Sequence, residues 1–164
     1  MVGKLSHLDE AGRARMVDIS EKPESERWAL ARGRVRFSQT AYATLRRDGS
    51  EKGDILRTAE IAGVMAAKKT ADLIPLCHPL PLAVVRVAAT HNDQERAIDV
   101  SAEAKTTGRT GVEMEALTAA SVACLTIYDM AKSLDKTMTI EVELVEKSGG
   151  ASGPFKRGPD ADGR

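Results

Sequence analysis

Apolar and polar residues alternate most plainly late in the chain, where Met138, Ile140, Val142 and Leu144 interleave with Thr139, Glu141 and Glu143. A period of two puts one set on a buried sheet face and the other in water, so the pattern predicts a strand over residues 137–146. The same alternation, with Ile98, Val100, Ala102 and Ala104 on one face, predicts a strand over 96–105. A first strand is expected over 33–42, where Val35 and Phe37 alternate with Arg34, Arg36 and Ser38. Another is expected over 82–90, entered from IPLCHPLPL, whose prolines Pro75, Pro79 and Pro81 forbid regular helix. His91-Asn92-Asp93-Gln94 then reads as a turn. Two stretches keep helical spacing instead. Residues 54–71 carry Ile55, Ala59, Ala62 and Ala66 behind Gly53 and a capping Asp54, with Lys68 and Lys69 where a helix end favours cations. Residues 112–134 form a longer helix of Ala, Thr, Ser, Leu and Cys, punctuated by Glu113, Glu115, Asp129 and Lys132.

In chain order this is β-α-β-β-α-β, an α+β fold of the ferredoxin-like split type: an antiparallel sheet with two helices packed on one face. The other sheet face must meet water or a partner. Arg32, Arg34 and Arg36 share one side of the first strand, which suits a solvated face, with anion binding or subunit contact as alternatives. Residues 1–156 read as one domain, opened by an arm over 1–30 that holds MVDIS (16–20) and the single tryptophan, Trp28. The tail at 157–164 has the Gly, Pro and charge content of a disordered segment.

Composition narrows the function classes. The chain has 164 residues, enough for one real core. Its 24 basic and 24 acidic residues cancel and aromatics are 3%, so neither a polyanion-binding surface nor a base-stacking platform is expected. A nucleic-acid partner is therefore not expected. Cys77 and Cys124 make no disulfide framework, no apolar run approaches the ~20 residues of a membrane span, and no charged-then-apolar N-terminal signal is present. The expectation is a soluble protein of a reducing, cytoplasmic compartment with no membrane partner.

Candidate chemistry lies at the ends of elements. His78 sits in the proline-stiffened loop, its imidazole held in one direction; adjacent Cys77 and His78 do not match metal-ligand spacings, and no metal is expected. Lys52 precedes the first helix in EKGD, where the positive helix end disfavours its charge and suits it to clamp phosphate or exchange a proton. Asp129 and Lys132, three apart, are neighbours on one helical face, and Glu113 and Glu115 open the same helix; surface ion pairing and dipole stabilisation account for these equally well. Glu115 and Asp129 are 14 residues apart, hence ~21 Å along the axis. One chain cannot bring both to one small substrate. Either they serve different purposes, or a two-fold-related copy brings one helix start beside another's end, which would also account for the helix's small residues.

MVDIS (16–20), KGD (52–54), LIPLCHPL (73–80), TGRTGVEMEALTAASVACLTIYDMAK (107–132) and KSGG (147–150) together resemble the cyclic pyranopterin monophosphate synthase family, accessory protein C of the first stage of molybdenum cofactor biosynthesis. The resemblance covers about residues 5–156 with motif order kept. It implies a ferredoxin-like lyase assembled as a homohexamer, a trimer of dimers with sites at the dimer interface. It also implies that a GTP-derived cyclic dihydro-GTP becomes cyclic pyranopterin monophosphate and diphosphate. Leu76, Cys77, His78, Met114 and Glu115 resemble the family's substrate-binding residues, Glu113 and Lys147 its site-lining ones, and Asp129 its catalytic acid/base. Lys52 and Lys132 match its essential lysines, His78 joins the catalytic set, and Asp18 is a looser member. Proton transfers to nitrogen and carbon would draw on a His, carboxylates and a lysine of lowered pKa. No cofactor is expected, and no carboxylate cage demands a metal, leaving Mg²⁺ at most a companion of the triphosphate. The alternative is a non-catalytic nucleotide- or pterin-binding oligomeric protein on the same fold.

Overall fold

The structure, a computed structural model, describes residues 11–158. Five strands, β1 (Ser25–Arg36), β2 (Val84–Asn92), β3 (Ala97–Gly108), β4 (Thr139–Ser148) and β5 (Phe155–Lys156), form one sheet in the order β2-β3-β1-β4-β5. Every neighbouring pair is antiparallel. Helices α1 (Gln39–Asp48), α2 (Ile55–Ala67), the single turn α3 (Thr70–Leu73) and α4 (Glu113–Ala131) complete the fold. The first four strands and the two long crossovers make the ferredoxin-like arrangement that the alternation predicts. No helix of the described residues is long and apolar enough to cross a membrane.

The first strand departs from expectation. It runs over Ser25–Arg36 rather than 33–42, and Trp28, placed above in an arm, is a sheet residue opposite Lys105 and Ser148. Its inner face is Ala29, Ala31, Gly33 and Val35, small residues that raise little hydrophobic contrast against their polar neighbours. The chain leaves the strand at Phe37 because Ser38 caps α1, its side chain accepting from the Ala41 N–H, and Tyr42 and Leu45 of that helix are buried. Asp135 ties the same corner down: its carboxylate accepts from the Thr137 hydroxyl (2.6 Å) and from the N–H of Ser38 (2.8 Å) and of Thr137 (2.7 Å), which together, the hydroxyl foremost, hold its pKa at about 2. The helix expected over 54–71 splits into α2 and α3, with Lys69 at the break and Asp54 capping through the Arg57 N–H.

α4 is sandwiched between β1 and α2, which explains its small residues within one chain. A Cβ on Gly33 would lie 2.5 Å from Cys124 Sγ, and one on Gly63 of α2 would lie 2.9 Å from the Ala119 carbonyl oxygen. Ala116, Ala119, Ala120 and Ala123 are fully or almost fully buried at these contacts. Close approach, rather than a second copy, is the reason for the Ala run. Burial raises the Cys124 thiol to about 12, so it is an inert core residue.

The helix-free face of the sheet is a lattice of cross-strand ion pairs. Arg32 meets Glu143, Arg34 holds Asp99 at 2.9 Å and Arg36 meets Glu95 and Glu141. These are partners of opposite charge on neighbouring strands or, for Glu95, in the turn between β2 and β3, the solvated reading of the three arginines. Of the expected tail, 157–164, residues 159–164 lie outside the described residues, as do the first ten of the arm.

Candidate active site

The predicted residues gather at the two ends of α4. At its C-terminal end Lys52 Nζ donates to Asp129 Oδ2 (2.8 Å) and to the Asp129 carbonyl oxygen (2.9 Å), while Lys132 Nζ donates to Asp129 Oδ1 (2.6 Å). Lys52 reaches this point because Ser50 Oγ donates to the Met130 carbonyl oxygen and accepts from the Lys52 N–H, tethering the EKGD turn to the helix end. Lys52 therefore faces the negative end of α4, not the positive end of α2, and the last-turn carbonyls favour its charge. With both ammonium groups on it, and Lys132 the stronger influence, the Asp129 carboxyl falls to about 2. Lys132 shifts upward for the same reason. All three side chains are about half exposed, so this is a solvent-facing charge cluster.

At the other end a cavity of about 380 Å³ opens between the loop after α3, the start of α4 and the chain before β1. Leu76, Cys77, His78, Glu113, Met114 and Glu115 all line it. Sequence reasoning missed Val17, Ile19, Lys22, Leu80, Thr110 and Gly111, which line it too. Thr110 and Gly111 stand beside the recognised Glu113, and Val17 and Ile19 lie inside the MVDIS motif. The arm is held over the cavity by Arg109, which donates to the Ser20 carbonyl oxygen at 2.7 Å. Asp18 accepts from the Ser20 N–H at 2.9 Å, the main cause of its lowered pKa, with the charges of Arg15 and His78 adding to it.

Glu115 differs from every other acid here. It is 3% exposed, its Oε2 has no hydrogen-bond partner among the described residues, and burial raises its carboxyl to about 7, with the nearby Glu113 pushing the same way. Its neighbour Glu113 is instead paired with Lys147 at 2.8 Å. Burial and the Glu115 charge raise the Cys77 thiol, which disfavours a nucleophilic thiolate. Among the described residues, no group of three or more His, Cys, Asp or Glu side chains is placed to hold a metal ion.

Lys147 reaches Glu113 through an irregularity in β4. Leu30 lies opposite Glu146 but Ala31 lies opposite Leu144, so Val145 is an extra residue, a β-bulge. Up to the bulge, odd-numbered β4 residues point to the ion-paired open face. After it the parity reverses, Lys147 stands opposite the buried Ala29, and its side chain joins the helix side of the sheet.

A ferredoxin-like sheet with a cavity at one end of its long helix and a lysine-clamped carboxylate at the other defines a small α+β protein whose titratable groups gather at the two ends of one helix. The chain belongs to the MoaC family, whose sequence profile matches residues 16–150. It is 52% identical over 160 residues to the cyclic pyranopterin monophosphate synthase of Thermomicrobium roseum, covering 97% of this chain and 96% of that protein. It is 53% identical over 154 residues to the synthase of the same name from Parvibaculum lavamentivorans, covering 93% and 96%, and 54% identical over 153 residues to that of Cereibacter sphaeroides, covering 93% and 96%.

Proposed function

We propose that this chain is a cyclic pyranopterin monophosphate synthase, converting a cyclic dihydro-GTP to cyclic pyranopterin monophosphate and diphosphate for molybdenum cofactor biosynthesis, at a site that two copies share. The observation that carries the shared site is the separation of the two clusters. Glu115 and the Asp129 group occupy opposite ends of a continuous 19-residue helix, too far apart for one small substrate. Self-association is further supported by large apolar side chains left exposed on the helices: Ile61 and Met65, four apart on α2, and Leu125 on α4. The homohexamer, as a trimer of dimers, is the assembly this reading predicts.

Each end suits a different part of the reaction. Lys52 and Lys132 bracket Asp129 with two amino groups at hydrogen-bond distance and suit the triphosphate. A sugar hydroxyl oxygen attacks the α-phosphorus, its proton passes to a base, the bridging P–O bond breaks, and diphosphate leaves with the electron pair. The ammonium groups neutralise the charge growing on that leaving group. Asp129, ionised down to about pH 2, is too weak a base for much proton abstraction at neutral pH and instead holds the two lysines in place. Glu115, near 7, is matched to give and take protons while the purine-derived ring opens and the pyrazine ring closes. His78, Cys77, Leu76, Glu113, Met114 and Lys147 orient the base and ribose around it.

The test is to incubate the protein with the cyclic dihydro-GTP and follow diphosphate and pterin by mass spectrometry, then to mix two inactive variants. Glu115→Gln and Asp129→Ala subunits, each dead alone, regain about one quarter of wild-type turnover after co-refolding if sites are shared, because half the dimers then hold one intact site. Binding without diphosphate release would instead identify a non-catalytic pterin or nucleotide carrier. Failure of mixing to restore turnover, with both variants inactive, would leave the activity but remove the shared site.

A further inference from the structure

The bulge that aims Lys147 is itself held by a residue beyond the stretch matched to the family's sequence profile. Removing one residue from β4 opposite β1 would return Lys147 to the open face, so the extra residue Val145 must be kept out of the ladder. Its carbonyl oxygen accepts from the Arg157 N–H (2.8 Å), and the Leu144 carbonyl oxygen accepts from Arg157 Nε (2.9 Å). The same Nε lies 3.2 Å from Glu143, so one guanidinium grips the strand on the N-terminal side of the bulge. On the C-terminal side β5 pairs Lys156 with Glu146 and Phe155 with Lys147. The segment from Glu143 to Lys147 is thus clamped along its outer edge by Phe155, Lys156 and Arg157, all after residue 150, where the match to the family's sequence profile ends.

We infer that Arg157 is a positioning residue for the active site: by holding the two bulge carbonyls it keeps β4 in the register that turns Lys147 toward Glu113. The inference rests on the reading of Lys147 as a substrate-binding group. Arg157 touches no substrate. Its effect passes through Lys147, so it changes substrate affinity more than the chemical step. Such an effect is the size of a lost hydrogen bond, a ~5-fold rise in KM with kcat little changed.

The test is a double-mutant cycle on the full-length protein, with Arg157→Ala, Lys147→Ala and the pair assayed for KM and kcat on the cyclic dihydro-GTP, and Arg157→Lys as the conservative variant. Amide hydrogen exchange at Glu146 and Lys147 is measured without ligand on each. If Arg157 acts through Lys147, Arg157→Ala raises KM in the wild-type background but not further in the Lys147→Ala background, and its amides at 146–147 exchange faster. Arg157→Ala removes the side-chain donor to the Leu144 carbonyl oxygen and the charge beside Glu143, while Arg157→Lys keeps a cationic donor there and restores part of the loss. Equal effects in both backgrounds, or a KM unchanged by Arg157→Ala when Lys147→Ala raises it, would overturn the inference. Should Lys147→Ala itself leave KM unchanged, the substrate-binding reading of Lys147 fails separately. The positioning claim is then decided by exchange: faster at 146–147 in Arg157→Ala upholds it, unchanged overturns it.

Discussion

The two ends of α4 carry carboxylates that physical surroundings push in opposite directions. At the N-terminal end Glu115 is stripped of water and rises to about 7; at the C-terminal end Asp129 sits in solvent between two ammonium groups and falls to about 2. Identical chemistry on one helix thus yields a proton carrier and a permanent anion. Desolvation makes the first and charge pairing the second, and neither could be traded for the other by moving the residue along the helix. The difference teaches that an acid's role here follows from its neighbours rather than from its type.

The comparison predicts its own failures, beginning with the largest. Lys52→Ala or Asp129→Ala lowers kcat by ~10²–10³-fold, because the charge that balances diphosphate is lost or released from its position, while the fold is little disturbed; steady-state kinetics with circular dichroism checks both halves. Glu115→Gln lowers kcat by about 10²-fold and flattens the limb of the pH–rate profile near 7, whereas Asp129→Asn leaves that limb in place; an unmoved limb in Glu115→Gln would assign proton transfer elsewhere. Stability should respond with opposite signs. Because Glu115 is raised when folded, its contribution is present below about pH 4.5 and lost as pH rises to about 7. Glu115→Gln therefore gains on wild type over that window by on the order of 2–3 kcal/mol, read from denaturant melts at several pH values. Asp129 is lowered when folded, so its contribution is present above about 4 and lost as pH falls toward 2; Asp129→Asn loses ground to wild type at neutral pH and meets it in acid. As a baseline away from both ends, Arg32→Ala on the exposed ion-pair lattice moves turnover not at all and stability by about 0.5 kcal/mol.

Much of this molecule was legible in the sequence, for reasons that differ by region. β4 packs Ile140, Val142 and Leu144, and β3 packs Ile98 and Val100 ahead of Ala102 and Ala104, each against polar neighbours, so their alternation is plain and their faces came out as expected. β1 packs Ala and Gly there because α4 approaches so closely, and the quiet inner face hid residues 25–32, two thirds of the 12-residue strand, and Trp28 with them. The second copy suggested by the Glu115–Asp129 spacing would also have explained the small residues of α4, but Gly33 and Gly63 account for them within the chain. The candidate residues were readable as types at element ends, and the family resemblance supplied Leu76, Met114 and Lys147. Lys22 and Thr110 were not readable, since a loop lysine and a loop threonine acquire meaning only when folding brings residues 17–22 over the cavity. Nor was the bulge at Val145: a parity change depends on what lies across the ladder, which a single strand's sequence does not encode.

The unbroken run of α4 has a consequence for what the fold tolerates. Fourteen residues are close to four whole turns, so Glu115 and Asp129 return to within ~40° of the same bearing around the axis. The helix is in that sense a gauge block, setting both the span and the angular phase between two half-sites. One residue inserted midway would keep its alanines but swing one end by ~100° against the other. Drift in the length of this segment is therefore closed to the protein, however freely its individual side chains vary.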